Sequence, residues 1–240
     1  VYNGLRNATV TVGTLDGVVA GETLGATLAT GTFDSKNAGA GKNVTVVYTL
    51  ANGANPQHLA SNYTLAGETL TGTITKKDLS VFNGLVTTKV YDGTDAAVIT
   101  GAQLQGVAVG VGTDLDGKYY NGDTVVLVGG IGGTFASKNA GTGKTVSTTM
   151  TLGGADSGNY TLLNQPNLTG TITKKDLTIL TTTVNAKAYD GNTTATLAGS
   201  TLQAAIAAGT GTAVDGKPYT GDTITIGTVG TFERNLPGTL

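Results

Sequence analysis

Gly72-Thr-Ile-Thr-Lys-Lys-Asp-Leu79 returns 98 positions later as Gly170-Thr-Ile-Thr-Lys-Lys-Asp-Leu177, with all eight residues identical. Eight identities at a fixed offset mark an internal repeat, and repeats are read before secondary structure because they fix the architecture. Other blocks keep nearly the same spacing. Val90-Tyr91-Asp92-Gly93 matches Ala188-Tyr189-Asp190-Gly191, with Val1-Tyr2-Asn3-Gly4 as an earlier copy. Gly31-Thr-Phe33-Asp-Ser-Lys-Asn-Ala-Gly-Ala-Gly-Lys42 matches Gly133-Thr-Phe135-Ala-Ser-Lys-Asn-Ala-Gly-Thr-Gly-Lys144, and Gly230-Thr-Phe232 opens a third copy. Ser61-Asn-Tyr-Thr-Leu65 matches Gly158-Asn-Tyr-Thr-Leu162.

A period of about 90 to 100 residues is too long for a solenoid coil and suits an independently folding β-sandwich module. The expected organisation is a module over 1–75 lacking its first strand, a complete module over 76–173 and a module over 174–240 truncated at its C-terminal side. The Ile-Thr-Lys-Lys-Asp-Leu joint contains no Pro or Gly. It is read as a strand leaving one module and running directly into the next. Two adjacent lysines there should resist folding back onto a neighbouring face, because burying them unpaired is costly. An elongated, end-to-end array is therefore expected.

Composition agrees with an all-β chain. The 240 residues include 38 Gly and 46 Thr, more than a third of the total in two types that disfavour helix interiors. Charged residues are only 12%, but 39% hydrophobic content separates the chain from disordered ones. A net charge of −2, with no basic run, gives nucleic acid or an anionic membrane little to attract. No run approaches 18 apolar residues, and the first residues are not a basic-then-apolar leader, so neither a membrane span nor a signal peptide is read in this stretch. The absence of Cys excludes disulfides and thiolate metal sites without fixing the compartment.

Within each copy the apolar period is two. Val44, Val46, Tyr48 and Leu50 alternate with polar or small residues, as do Val146, Thr148, Met150 and Leu152. Val125 and Leu127 correspond to Ile224 and Ile226, with Thr124 and Thr223 on the other face. Asn-Gly pairs at Asn3, Asn52, Asn83 and Asn121, and Asp-Gly pairs at Asp16, Asp92, Asp116, Asp190 and Asp215, punctuate the strands as tight turns.

The Lys89–Thr94 run Lys-Val-Tyr-Asp-Gly-Thr, the Gly-Thr-Phe and Lys-Asn-Ala-Gly block, the Asn-Tyr-Thr-Leu string and the Thr-Lys-Lys-Asp-Leu joint together resemble YDG-type and related "mostly bacterial immunoglobulin-like" modules. Such modules belong to very large secreted bacterial surface proteins, many similar to filamentous-haemagglutinin-type adhesins exported by the two-partner route. The resemblance implies tandem immunoglobulin-like β-sandwich modules arranged end to end. It also implies a secreted or cell-surface location and a stalk between an anchor and a distal tip, with neighbouring modules as partners and no catalytic residues to carry over. Asn3 replaces the motif Asp in the first copy. Thr231-Phe-Glu-Arg-Asn-Leu-Pro-Gly-Thr-Leu240 departs from the Lys-Asn-Ala-Gly pattern.

Several residue groups invite functional readings. Tyr91-Asp92-Gly93 and Tyr189-Asp190-Gly191 could form a ligand motif, but the architectural reading is a core Tyr followed by a turn in which Asp accepts backbone N–H bonds and Gly takes positive φ. Phe33, Phe135 and Phe232 are counted with them as structural. Asp114, Asp116 and Asp123 supply hard oxygen donors around a Gly turn and are a weak calcium candidate, weighed against a solvated hairpin. Tyr119, Tyr120 and Tyr219 are a weak glycan-stacking candidate, weighed against packing on their own hairpins.

Gly39-Ala-Gly41-Lys42 and Gly141-Thr-Gly143-Lys144 lack phosphate-loop spacing and precede strands. With a single histidine, His58, and no nucleophile elbow, no catalytic triad is read. Asn-x-Ser/Thr sequons begin at Asn7, Asn43, Asn62, Asn159, Asn167 and Asn192, and a Lys–Asn crosslink is allowed by the inventory without being indicated. The leading expectation is a non-enzymatic stalk without cofactor. The alternatives are modules that bind host or matrix glycan or protein, and a filament that self-associates by strand exchange.

Overall fold

The computed structural model describes residues 1–163 and 168–233, with the side chain of Leu28 undescribed. The sequon at Asn167 and most of the divergent stretch after Thr231 lie outside the described residues. The protein is nearly all β. Eighteen strands and two three-residue 3₁₀ turns, Ala60–Asn62 and Ser157–Asn159, make up its regular structure among the described residues.

The chain divides into two compact units, each assembled from several segments. The first comprises Val1–Gly84, Gly101–Gly130 and Met150–Pro166; the second comprises Leu85–Thr100, Ile131–Thr149 and Asn167–Leu240. The middle repeat thus contributes residues to both. In the first unit, strands Gly25–Phe33, Gly39–Ala51 and Glu68–Ile74 form an antiparallel sheet in that order. The same unit holds three two-stranded ladders, of which two are parallel, Lys77–Ser80 with Tyr160–Leu163 and Gly106–Val107 with Tyr119–Tyr120. In the second unit a six-stranded sheet runs Leu85–Val86, Ala96–Thr100, Gly132–Phe135, Gly141–Thr148, Thr169–Thr173, Lys89–Val90. A further antiparallel sheet there orders Ile179–Val184, Thr194–Leu202 and Val229–Thr231.

The period of two places the core where the sequence put it. Val44 and Val46 are buried in the long Gly39–Ala51 strand while their neighbours face out; in the second copy Val146, the counterpart of Val44, and Met150, the counterpart of Tyr48, are buried. The recurrence of a Phe opposite a Gly in both copies has a steric cause. A Cβ on Gly72 would lie 2.9 Å from the Phe33 ring, and one on Gly170 would lie 2.9 Å from the Phe135 ring, so only glycine lets each aromatic lie flat against the strand.

Three expectations need correction. The joint is not one continuous strand: Glu68–Ile74 ends before Thr75 and Lys76, and Lys77–Ser80 belongs to a different sheet, while residues 174–178 form no strand. The second lysine of each joint is buried, because each has an acid partner and an aromatic ring that replace its hydration. The third copy of the Val125 and Leu127 strand is absent: residues 223–228 form no ladder and Ile224 is exposed.

Candidate functional site

The repeated Tyr-Asp-Gly turn builds the site. Asp92 accepts the backbone N–H of Thr94 at 2.9 Å and the Lys89 ammonium at 2.8 Å, while Gly93 takes φ of 79°, a conformation costly for any residue with a Cβ. Asp190 repeats the arrangement with Asn192 N–H at 3.1 Å and Lys187 at 2.7 Å. In the first copy the Asn3 side-chain oxygen accepts the Leu5 N–H at 2.9 Å, so the substituted residue keeps the turn. The tyrosines before the first two of these turns, Tyr2 and Tyr91, each reach a distant aspartate.

In the first unit that tyrosine is Tyr2, fully buried beside Ile74, Leu79, Tyr120 and Tyr160. Its hydroxyl donates to Asp123 Oδ2 at 2.7 Å, and the Tyr160 hydroxyl donates to the same oxygen at 2.6 Å. Lys36 pairs with Asp123 Oδ1. The Tyr160 oxygen in turn accepts the Tyr120 backbone N–H at 2.9 Å, and the rings of Tyr2 and Tyr160 meet edge-on, 5.3 Å apart. Burial alone would raise Asp123, but the bonds from Lys36, Tyr160 and Tyr2 overcome it and hold the carboxyl below its ordinary value. Burial, followed by the bond to Asp123, pushes Tyr2 up to about 12 and also raises Tyr160. Lys36 rises mainly through its bond to Asp123.

The second unit repeats the cluster with one member fewer. The Tyr91 hydroxyl donates to Asp222 at 2.7 and 2.9 Å, Lys138 pairs with Asp222 at 3.0 Å, and the Tyr91 and Tyr219 rings meet edge-on at 5.7 Å. The shifts run the same way: burial opposes but Tyr91 and Lys138 lower Asp222, while Tyr91 and Lys138 themselves rise. Beside each cluster the joint lysine forms a second ion pair. Lys77, with its side chain wholly enclosed, meets Asp116 at 2.5 Å and the Thr113 carbonyl, with Tyr120 at 5.4 Å. Lys175 meets Asp215 at 2.8 Å and lies 4.2 Å from the Tyr219 ring centroid. Lys175 and the backbone N–H groups of Lys217 and Thr212 lower Asp215 to about 2.

An acid–tyrosine–lysine network thus occurs twice in the chain, once in each unit. The YDG domain family matches residues 1–71 and 75–168. The chain belongs to the YDG family. No curated protein and no solved structure is a significant match to it.

The YDG tyrosines, Tyr2 and Tyr91, are thus aimed at an acid far along the chain, whereas Tyr189 is 62% exposed and meets no acid among the described residues. Phe135 is buried, Phe33 half-buried and Phe232 at the edge of exposure; each donates its backbone N–H at 2.7 Å to a backbone carbonyl outside the strands, of Asp95, Arg6 and Thr193 respectively. The weak calcium grouping does not converge. Asp114 is exposed, Asp116 is taken by Lys77, and Asp123 is taken by Lys36 and two tyrosines. Among the described residues no group of three or more His, Cys, Asp or Glu is arranged to hold a metal ion. The glycan grouping fails on burial: Tyr120 is 2% and Tyr219 3% exposed, so neither offers a face to a sugar, and Tyr119 is half-buried.

His58 accepts the Thr23 N–H at 3.1 Å through Nδ1. Lys42 and Lys144, in the glycine-rich segments, fold back on Ser35 and Ser137 at 2.6 and 2.7 Å. Sequence reasoning missed Lys36, Lys138 and Tyr160 as members of the network. The signal was available, because Ser-Lys-Asn and Asn-Tyr-Thr-Leu repeat as faithfully as Tyr-Asp-Gly and each carries one polar side chain able to reach a carboxylate.

Proposed function

We propose that the chain is a non-enzymatic structural stalk segment of a secreted or cell-surface bacterial adhesin, spacing a distal binding tip from the cell. In this reading tandem immunoglobulin-like β-sandwich modules over 1–75, 76–173 and 174–240 follow one another end to end, and the partners of each are its neighbours in the same polypeptide. The observation that carries it is the network built twice. Tyr2 and Lys36, from the first repeat, grip Asp123 of the second; Tyr91 and Lys138, from the second, grip Asp222 of the third. A buried charged cluster is a poor source of net stability but a good device for fixing one register, since any misaligned joint strands a carboxylate in an apolar setting. Repeats that fix each joint with the same three residue types, tyrosine, lysine and aspartate, suit a spacer whose length must be set by module number.

Small-angle X-ray scattering tests the reading. A compact 240-residue globule has a radius of gyration near 18 Å. Strands of roughly ten residues span about 35 Å, so two to three modules in line reach about 70 to 100 Å. A compact value would sink the stalk.

A further inference from the structure

The loop between strands Gly39–Ala51 and Glu68–Ile74 carries the chain's one Asn-Pro bond, Asn55-Pro56, and its one histidine, His58. The loop is tied to itself and to the segment ahead of the sheet. Asn52 Oδ1 accepts the Ala60 N–H at 2.8 Å, the Gly53 N–H donates to the His58 carbonyl at 2.9 Å, and the Thr23 N–H donates to His58 Nδ1 at 3.1 Å. Within it, Asn55-Pro56-Gln57-His58 forms one tight turn, with proline at the position where its fixed φ fits best. The His58 N–H donates to the Asn55 carbonyl at 2.9 Å, and the Gln57 N–H donates to Asn55 Oδ1 at 3.0 Å. Asn55 Nδ2 donates to no group among the described residues, and Asn55, Pro56 and Gln57 are exposed.

Proline changes what this asparagine can do. An asparagine ordinarily cyclises when the N–H of the next residue attacks its side-chain carbonyl and ammonia leaves. Proline has no N–H, so that route is closed at Asn55. The five-membered ring that remains available comes from the opposite attack, by side-chain Nδ2 on the residue's own carbonyl carbon. Both hydrogen bonds of the turn favour it. The Gln57 donor on Oδ1 draws electron density from the side-chain amide, which makes Nδ2 easier to deprotonate. The His58 donor on the backbone oxygen polarises the carbonyl and meets the negative charge that develops there on attack, as an oxyanion-hole donor does. The other asparagine of the loop is treated in the opposite way. Asn52 precedes Gly53, whose N–H is already committed to the His58 carbonyl.

We propose that this turn is a self-cleavage site. A bond forms between Asn55 Nδ2 and the Asn55 carbonyl carbon, the bond from that carbon to the Pro56 nitrogen breaks, and the proton lost by Nδ2 reaches the proline nitrogen through water. The products are residues 1–55, ending in a succinimide, and residues 56–240, beginning with the secondary amine of Pro56. Nothing is oxidised or reduced, and no co-reactant is consumed. The two pieces stay together after the break, because the strands flanking the loop are neighbours in one antiparallel ladder that runs from the pair Gly39 and Ile74 to the pair Val46 and Glu68. Cleavage therefore opens the loop and leaves the sheet paired. It does not depend on the stalk role.

The test incubates the purified 240-residue chain for days in mildly alkaline buffer and follows it by intact mass and N-terminal sequencing under denaturing conditions. Two fragments should accumulate, one reading Pro-Gln-His-Leu from its first residue. At early times their masses should sum to that of the parent, because cyclisation adds no water, whereas a contaminating protease adds one from the start. Asn55→Ala should give no fragments, and in Pro56→Ala, which restores an N–H, deamidation of Asn55 should replace cleavage; both changes lie in the exposed loop and leave the sheet intact. In concentrated guanidinium chloride, where the turn's two donors are no longer held, cleavage should be at least about tenfold slower. An uncut parent chain, fragments that carry an added water from the first time point, the same fragments from Asn55→Ala, or equal rates in the folded and unfolded chain would each overturn the proposal.

Discussion

Leu79 and Leu177 end the same eight-residue string, yet one is enclosed and the other is more than a third exposed. Everything the string itself determines is alike in the two units. The joint lysine finds its aspartate, the tyrosine ring packs over it, and Ser80 and Thr178 donate N–H bonds at 2.9 Å to Gly117 and Gly216. What differs is the strand laid alongside, Tyr160–Leu163 in the first unit. Local sequence therefore sets the polar contacts of a joint, while a segment about 80 residues further along the chain sets how dry it is.

The joint lysines should give the largest effect. Removing one partner of a buried ion pair costs about 3–5 kcal/mol, because the remaining charge is stranded. Lys77→Ala leaves Asp116 and the Thr113 carbonyl facing an enclosed space, and the loss should reach that range. Lys175 itself borders an open cavity, so Lys175→Ala lets water reach Asp215, and the loss there should be smaller. Urea titration read by amide exchange at Val46 for the first unit and Ile99 for the second separates the two; equal losses would mean that the cavity does not hydrate Asp215.

The leucines sharpen the same comparison without charge. Leu→Ala in a closed core costs about 2–5 kcal/mol, and at a partly exposed site usually less than about 1. Leu79→Ala should therefore cost about 3 kcal/mol in the first unit, and Leu177→Ala should cost less than about 1 in the second. If both variants lose the same stability in denaturant titrations, the cavity beside Leu177 is closed in solution and Leu177 is core.

Much of this was legible before any coordinates. The period of two picked out Val44, Val46 and Val146 as core, because a strand with one wet face must alternate. The Asp-Gly dipeptides marked turns, because only glycine enters the left-handed region cheaply. The joint was misread for a physical reason: two lysines in a row look like a solvated surface unless their acids are known. Those acids, Asp116 and Asp215, lie 39 and 40 residues further along the chain, and Asp116 falls among the carboxylates of the calcium candidate. Tyr120 and Tyr219 were misjudged in the same way, since residues next to a Gly turn look exposed until the tyrosine from the neighbouring repeat packs on them. Polar clusters assembled from three distant segments leave only residue identity, not periodicity, in the sequence.

Tyrosines of the repeated Asn-Tyr-Thr-Leu string offer a milder contrast inside one unit. Tyr160 is buried and its hydroxyl serves Asp123 and the Tyr120 N–H. Tyr63 makes the equivalent bonds to Glu22 at 2.6 Å and from Val19 N–H at 3.3 Å, but beside exposed groups that water can satisfy. Tyr160→Phe should cost about 1–3 kcal/mol and Tyr63→Phe about 0.5 or less. A larger loss from Tyr63→Phe in thermal or urea unfolding would show that its cluster is shielded from water.

The smallest effect at neutral pH should come from the titration of Tyr2, which becomes visible only in alkali. Its hydroxyl is held at about 12 against an ordinary 10.0, because burial and then the adjacent Asp123 carboxylate disfavour the tyrosinate. A group whose folded value is raised stabilises the fold fully below the unfolded value and loses that contribution as pH rises through the folded one. The first unit should therefore be indifferent to Tyr2 ionisation up to about pH 10 and weaken between about 10 and 12. In acid the opposite sign applies. Asp123 and Asp222 are both depressed, so their contribution is present above the ordinary carboxyl value of 3.8 and is lost as pH falls below it. Tyrosinate absorbance during a pH titration, compared between the parent chain and Tyr2→Phe, reads the alkaline limb directly. The parent should show one tyrosine ionising near 12 that the variant lacks, with no difference in stability trend between pH 6 and 9. An ionisation of Tyr2 near 10 would mean that its bond to Asp123 is not kept in solution, and the two units would then differ by more than the Tyr160 strand.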